Sequence, residues 1–341
     1  MLKMILLAIL TVVASSSWLS QQTSSVTLFP VDLGEKCGYI DQQGKVVVTP
    51  QFDICKPFNE GLAGVSRSGK TGYIDEAGKI LIPLEFDYFY PETFYEGLAP
   101  IQVRNKNSDL EQGYVDKLGT IRLLDGVSET DFFSEGLAVV KRNGKYGYID
   151  KHMNFVIPPQ FDLAKSFDSG RAAVFNISRD ISGNRSGKQY YIDTLGRKVF
   201  DCGFKFCSDF SEGLAPIENK YNQNGYIDTN GNVVIKPHFN YGCYFHEGLA
   251  CVQNSDEKWG YIDKSGKLVI EPKFDEAEDF SSDGVAVVKV GEKYGFIDKK
   301  GDFIITPQFD SAEWINGLGL VEVDGIKKYV DRSNRTIWQR R

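Results

Sequence analysis

The stretch Gly136-Leu137-Ala138-Val139-Val140-Lys141-Arg142-Asn143-Gly144-Lys145-Tyr146-Gly147-Tyr148-Ile149-Asp150-Lys151-His152-Met153-Asn154-Phe155-Val156-Ile157 decides the fold. Three short runs of β-branched and aromatic residues, Leu137 to Val140, Tyr146 to Ile149 and Phe155 to Ile157, are separated by turn residues. That is the signature of a three-stranded meander. No part of the chain repeats apolar residues at helical spacing over the ten or more positions a helix requires. Leu137 and Val139 point one way and Ala138 and Val140 the other, so these strands need apolar cover on both faces.

Outward from this stretch, its two words recur along the chain. Gly-Tyr-Ile-Asp or a variant ends at Asp41, Asp75, Asp116, Asp150, Asp193, Asp228, Asp263, Asp298 and Asp331. Glu-Gly-Leu-Ala or a variant centres on Gly61, Gly97, Gly136, Gly170, Gly213, Gly248, Gly284 and Gly317, and Thr27-Leu28-Phe29-Pro30-Val31 is a degenerate ninth copy. A period of about 35 residues means an array of like supersecondary units, each sheltered by its neighbours. Nine units run from about Val26 to Trp338, and Phe133, Phe167, Phe210, Phe245, Phe280 and Trp314 are the expected core between them.

The turns have a definite chemistry. In most units the Asp is followed three residues later by Gly, which suits a type I turn whose Asp accepts backbone N–H groups and whose Gly takes positive φ. Asn334 replaces that Gly tolerably, whereas Met153 predicts a shifted turn in the fourth unit, with Asn154 in the left-handed position.

Lys258-Trp259-Gly260-Tyr261-Ile262-Asp263 and Lys293-Tyr294-Gly295-Phe296-Ile297-Asp298, with the second word upstream, resemble the WG (KWG) repeat family of bacterial proteins. The resemblance covers everything after the first 25 residues and implies a β-strand repeat scaffold with no established activity. The aromatic before the Gly survives only at Tyr146, Trp259 and Tyr294, and Tyr190 and Lys328 replace the Gly itself. Nine units exceed the four to eight blades of most propellers. Complete units at both ends also leave no strand to exchange. The expectation is therefore an all-β, open, superhelical solenoid of three-stranded units, with a closed propeller-like ring as the alternative.

Residues 1–20 read as a signal peptide, with one Lys, an apolar run and then Ser15-Ser16-Ser17, and residues 21–25 as a short linker before a repeat domain at 26–341. The apolar run is shorter than the ~20 residues of a membrane span. This reading places the protein outside the cytoplasm, in the periplasm, at the cell surface or secreted. Six cysteines then permit disulfides, with Cys202 and Cys207 one local pair, although the third, fourth and eighth units contain none and the fold does not depend on them. A net charge of −7 and scattered basic residues exclude a nucleic-acid footprint.

Several motifs have structural readings. Gly64-Val65-Ser66-Arg67-Ser68-Gly69-Lys70-Thr71 matches the P-loop pattern, yet a strand rather than a helix follows it, so it reads as a hairpin turn. The recurring Asp supplies one carboxylate per turn where calcium needs six to eight oxygens. Glu60, Glu96, Glu135, Glu212 and Glu247 repeat equivalently, which argues for a turn role rather than catalysis. His152, His238 and His246 lie at unrelated places, so neither a metal site nor a Ser-His-Asp constellation is expected, and no cofactor.

Function is sought where units deviate. Arg104 to Gln112 and Asn176 to Gln189, the latter carrying Arg179 and Arg185, are insertions in the same hairpin loop. Tyr88, Phe89 and Tyr90 form an aromatic loop, and Tyr241 and Tyr244 a weaker one. Aromatic faces beside polar groups suit sugar or peptide recognition. The expectation is a non-catalytic scaffold of the cell envelope or exterior, binding protein or glycan partners along one edge. An envelope polysaccharide-acting enzyme, with a carboxylate such as Asp180, or a structural spacer are the alternatives.

Overall fold

The computed structural model describes residues 27–32, 34–86, 91–104, 107, 109–179 and 185–340. The proposed signal peptide and linker, the aromatic loop Tyr88, Phe89 and Tyr90, and Asp180 lie outside these residues. The described chain is all-β and contains nine antiparallel sheets in sequence order. The second is representative, with strands Ile54–Cys55, Leu62–Arg67, Lys70–Asp75 and Ile80–Phe86 hydrogen-bonded side by side in that order.

The unit is thus four-stranded in seven of the nine sheets, not three-stranded. The extra strand is short, as in Leu163–Ala164 or Glu276–Ala277, and continues almost directly from the last strand of the preceding sheet. One residue, Asp53, separates Val46–Phe52 from Ile54–Cys55, and its N–H already bonds the next sheet through the Ser66 carbonyl at 2.8 Å. Such a strand carries no apolar alternation of its own.

Adjacent sheets pack face to face through one recurring contact. The Tyr of Gly-Tyr-Ile-Asp is buried, lies steeply inclined against the aromatic of the next unit, and donates its hydroxyl to a backbone carbonyl there. Tyr39 meets Phe58 and the Lys56 carbonyl, Tyr148 meets Phe167 and Lys165, and Tyr261 meets Phe280 and Glu278, with ring centroids 4.8–4.9 Å apart. In the eighth sheet Phe296 stands against Trp314 without the hydroxyl. Each interface also buries alternating aliphatics from both sheets, such as Ile270, Ala286, Val288 and Ile297.

The same contact joins the ends of the array. Tyr329 of the ninth sheet packs at 5.5 Å on Phe29 of the first and donates to the Pro30 carbonyl, across 299 residues. Val31, Ile40 and Leu318 are buried in that interface, and Ile337 and Trp338 pack against it. The Gly of each Asp turn seats on the preceding sheet, Gly301 against Ile270 and Gly266 against Ile235; Gly44 of the first sheet seats on Ile337 of the last. The expected open solenoid is therefore corrected to a closed nine-bladed ring. The interface that recurs between all neighbours is satisfied between first and last as well, with about 40° of turn per blade. No exchanged strand is needed, because the closing surface is a blade face rather than a blade edge.

Two turn types follow from the two words. All nine Asp residues accept the N–H groups two and four residues on, as Asp228 does from Asn230 at 2.9 Å and Asn232 at 2.8 Å. The fourth unit keeps this register. Met153 itself takes the left-handed position at φ 69°, its N–H on the Asp150 carbonyl, so the expected shift to Asn154 does not occur. The paired bonds to Asp150 fix the turn, and the Met153 side chain packs on the core around Leu98, Tyr114 and Val140.

Glu-Gly is a two-residue hairpin turn, with Glu60 at φ 51° and Gly61 at 83° between the paired Asn59 and Leu62. That geometry requires positive φ at both positions. The glutamate recurs there because its carboxylate reaches the next blade. Glu60 accepts from the Glu96 and Gly97 N–H groups, Glu96 from Gly136, Glu135 from Gly170 and Glu212 from Gly248. Lys117, Lys151, Lys264 and Lys299, each just after a turn Asp, pair with Glu60, Glu96, Glu212 and Glu247 at 3.0 Å. These carboxylates form a structural belt. The P-loop-like segment is likewise a hairpin, turning at Ser68 and Gly69 between the paired Arg67 and Lys70.

Candidate functional site

Grooves open where the short first strands of neighbouring blades splay apart. One, of about 670 Å³, lies between the sixth blade (Phe206–Cys207, Leu214–Glu218, Asn224–Asp228, Val233–Phe239) and the seventh (Tyr241–Gly242, Leu249–Gln253, Trp259–Asp263, Leu268–Phe274). Through Lys205, Phe206, Ser208 and Tyr244 it continues into an apolar recess of about 370 Å³ beside the fifth blade, lined by Leu163, Val174 and Phe175.

Tyr241 and Tyr244, expected from sequence, both line this groove. Tyr241 is 56% exposed and rests edge-on against Trp259, with centroids 5.5 Å apart. The Tyr244 hydroxyl shares a hydrogen bond with the Ser208 hydroxyl across the blade boundary. Phe206, which sequence reasoning passed over, is 53% exposed on the opposite wall. It follows the irregular Cys202 to Phe204 segment, and the signal for it was a large aromatic at a position where other units carry Ile54 or Glu276.

The polar lining is amide-rich. Lys205 is held by Glu218 at 2.6 Å and the Asn222 side-chain oxygen at 2.7 Å, and the Asn224 amide donates to the Asn240 carbonyl. Arg179 and Arg185 are opposite each other at the tip of the hairpin formed by Ala172–Arg179 and Arg185–Ile192, remote in register from the groove. Both insertions expected from sequence are extensions of the same hairpin, the other being Leu98–Arg104 with Leu110–Asp116.

Among the described residues, three carboxyls are displaced upward, with Asp209 and Asp279 lining the groove and its recess and Glu278 lining the neighbouring groove beside Trp259. Burial raises Asp209, Lys165 opposes it, and Asp131 and Asp168 add repulsion. Burial raises Glu278, helped by Glu313 and Asp279, and also raises Asp279, against the influence of His246. No nucleophile hydrogen-bonded to an oriented base is found among the described residues.

All six cysteines are paired, Cys37 with Cys55, Cys202 with Cys207 and Cys243 with Cys251. The first two pairs span neighbouring blades, and the third joins adjacent strands at the groove floor.

Radial four-stranded blades closed upon themselves define a β-propeller, and this one is built from repeats. A family model described as WG containing repeat matches residues 38–70, 72–106, 113–146, 146–176, 191–222, 225–259, 259–294 and 294–325, and the chain belongs to that family. No curated protein matches the chain. Among solved structures it is similar to BamB from Moraxella catarrhalis, at 11% identity and TM-score 0.44 over 90% of this chain and 98% of that one. It is also similar to AztD from Citrobacter koseri, at 11% identity and TM-score 0.45 over 92% and 94%. No helix among the described residues is long and apolar enough to cross a membrane.

Proposed function

We propose that this propeller is a non-catalytic binding scaffold of the cell envelope or exterior, holding a protein or glycan partner in the groove between its fifth, sixth and seventh blades. The observation that carries the reading is the pair of half-exposed rings, Phe206 and Tyr241, on opposite walls of an open groove whose polar groups include three asparagines, Ser208, Glu218, Asp279 and the anchored Lys205. Rings of this kind stack on sugar faces or cover peptide side chains, while amides read hydroxyls or peptide groups. Export is supported by the residue pattern of positions 1–20 and by pairing of every cysteine, which suits an oxidising compartment.

Phe206→Ser with Tyr241→Ser tests the site, since both rings are outside the inter-blade cores. Capture of envelope proteins and of an immobilised glycan panel is compared with the wild type. The expected outcome is unchanged folding with affinity reduced at least ~10-fold, as for loss of aromatic anchors; equal capture by both proteins contradicts the placement.

A further inference from the structure

We infer that the Cys243–Cys251 pair, when reduced, is a zinc-class metal site completed by Asp279. The two cysteines face each other on adjacent strands, the Cys243 N–H donating to the Cys251 carbonyl at 2.9 Å. Asp279 arrives from the next blade, with Oδ1 3.7 Å from Cys251 Sγ. The two sulfurs and a carboxylate oxygen lie within 4.8 Å of one another, the only such three-ligand group among the described residues. Tetrahedral zinc, with bonds of about 2.3 Å to sulfur and about 2.0 Å to oxygen, separates S from O by about 3.5 Å and S from S by about 3.8 Å. The distance from Cys251 Sγ to the carboxylate is already close to this value, and breaking the bond between the two sulfurs lets them part.

The surroundings hold these ligands in place. The Tyr226 hydroxyl bonds the Cys243 carbonyl at 2.8 Å, and the Tyr261 hydroxyl bonds the Glu278 carbonyl at 2.7 Å, one residue before Asp279. His246 Nε2 is 3.5 Å from Asp279 Oδ2, the oxygen left over, and acts as a positioning residue for the carboxylate. Asp279 is 35% exposed, giving a cation an entry path from the groove. Two thiolates and a carboxylate suit zinc rather than magnesium or calcium. The sequence hides this group, because Cys243, His246, Cys251 and Asp279 have no metal-motif spacing and meet only through the strand pairing and the neighbouring blade.

The chemistry balances with a dithiol reductant. The reductant loses two hydrogens and becomes a disulfide, the Cys243–Cys251 bond is replaced by two thiols, and Zn²⁺ then displaces two protons to bind the thiolates. In the reverse exchange the disulfide form of that reductant takes two electrons from the thiolates and two protons from water, the Cys243–Cys251 bond re-forms and the ion is expelled, so occupancy follows the redox state of the pair.

The full mature chain, reduced with a phosphine, is alkylated with and without one equivalent of Zn²⁺, and each cysteine is read by mass spectrometry. Zinc is expected to slow modification of Cys243 and Cys251 at least ~10-fold and leave the other four unchanged. In parallel, a variant with Cys37, Cys55, Cys202 and Cys207 changed to Ser is expected to bind one zinc when reduced and none when oxidised. Asp279→Ala is expected to weaken that binding at least ~10-fold, and His246→Gln ~10-fold or more, the range for a partner that orients a ligand. Equal alkylation with and without zinc, or binding by Asp279→Ala as tight as before, overturns the assignment.

Discussion

At the residue scale, the recurring Asp is a fastener rather than a ligand. Its carboxylate takes two backbone N–H groups that otherwise face an open turn, and truncation leaves both without a protein acceptor. Asp228→Ala is expected to cost about 1 kcal/mol, as for loss of a helix-cap acceptor, read as a lower urea midpoint at unchanged slope. This role was legible in the sequence, because Asp and Gly three residues apart specify such a turn. Met153 was misread for a physical reason. Propensity argues against methionine at positive φ, but nine copies of one turn leave little freedom, and a packed side chain offsets the strain. The glutamate belt was half legible. Repetition pointed to a turn role, but the partner N–H groups belong to another blade and have no sequence signal of their own.

At the scale of the element, the Gly of Gly-Tyr-Ile-Asp has ordinary φ and is required by a crossing. In six blades the last strand carries a bulge containing proline that folds a carbonyl over this Gly; a Cβ at Gly260 would stand 2.4 Å from the Ile270 carbonyl oxygen. Proline is tolerated there because a bulged residue owes no ladder bond. Where Tyr190 and Lys328 replace the Gly, the last strand pairs without that bulge and contains no proline. Gly260→Ala is thus expected to lose about 2–4 kcal/mol, while Lys328→Ala stays within about 1 kcal/mol. Thermal melts of the two variants decide it; similar losses contradict the account. The strands of the two words were plain in the sequence through their apolar runs. The short first strand was not, since two residues are too few to show a period, and the groove rings Phe206 and Tyr241 sit on just those strands.

For the whole molecule, acid sensitivity and closure follow from repetition. Burial acts to lift Asp116, Asp150, Asp193, Asp228 and Asp331, but the hydrogen bonds of their turns outweigh it and hold them below the ordinary carboxylate range. A depressed folded value contributes stability above the unfolded value, near pH 4, and loses it as pH falls through the folded one. Asp209, Glu278 and Asp279, raised by burial, act oppositely but are fewer. The urea midpoint is therefore expected to be lower at pH 3 than at pH 6, and a midpoint that rises on acidification contradicts it. Closure itself could not be read from the repeats, because an open and a closed array share every local contact and differ only in whether Tyr329 finds Phe29. Electron-spin distance measurement between labels on Gln42→Cys and Asn316→Cys, with the six native cysteines paired, asks this directly. Gln42 and Gly317 are neighbours across the closing interface. A closed ring predicts a narrow distribution near one sheet spacing, about 10 Å plus the label arms; a distribution towards eight spacings, about 80 Å, would contradict it.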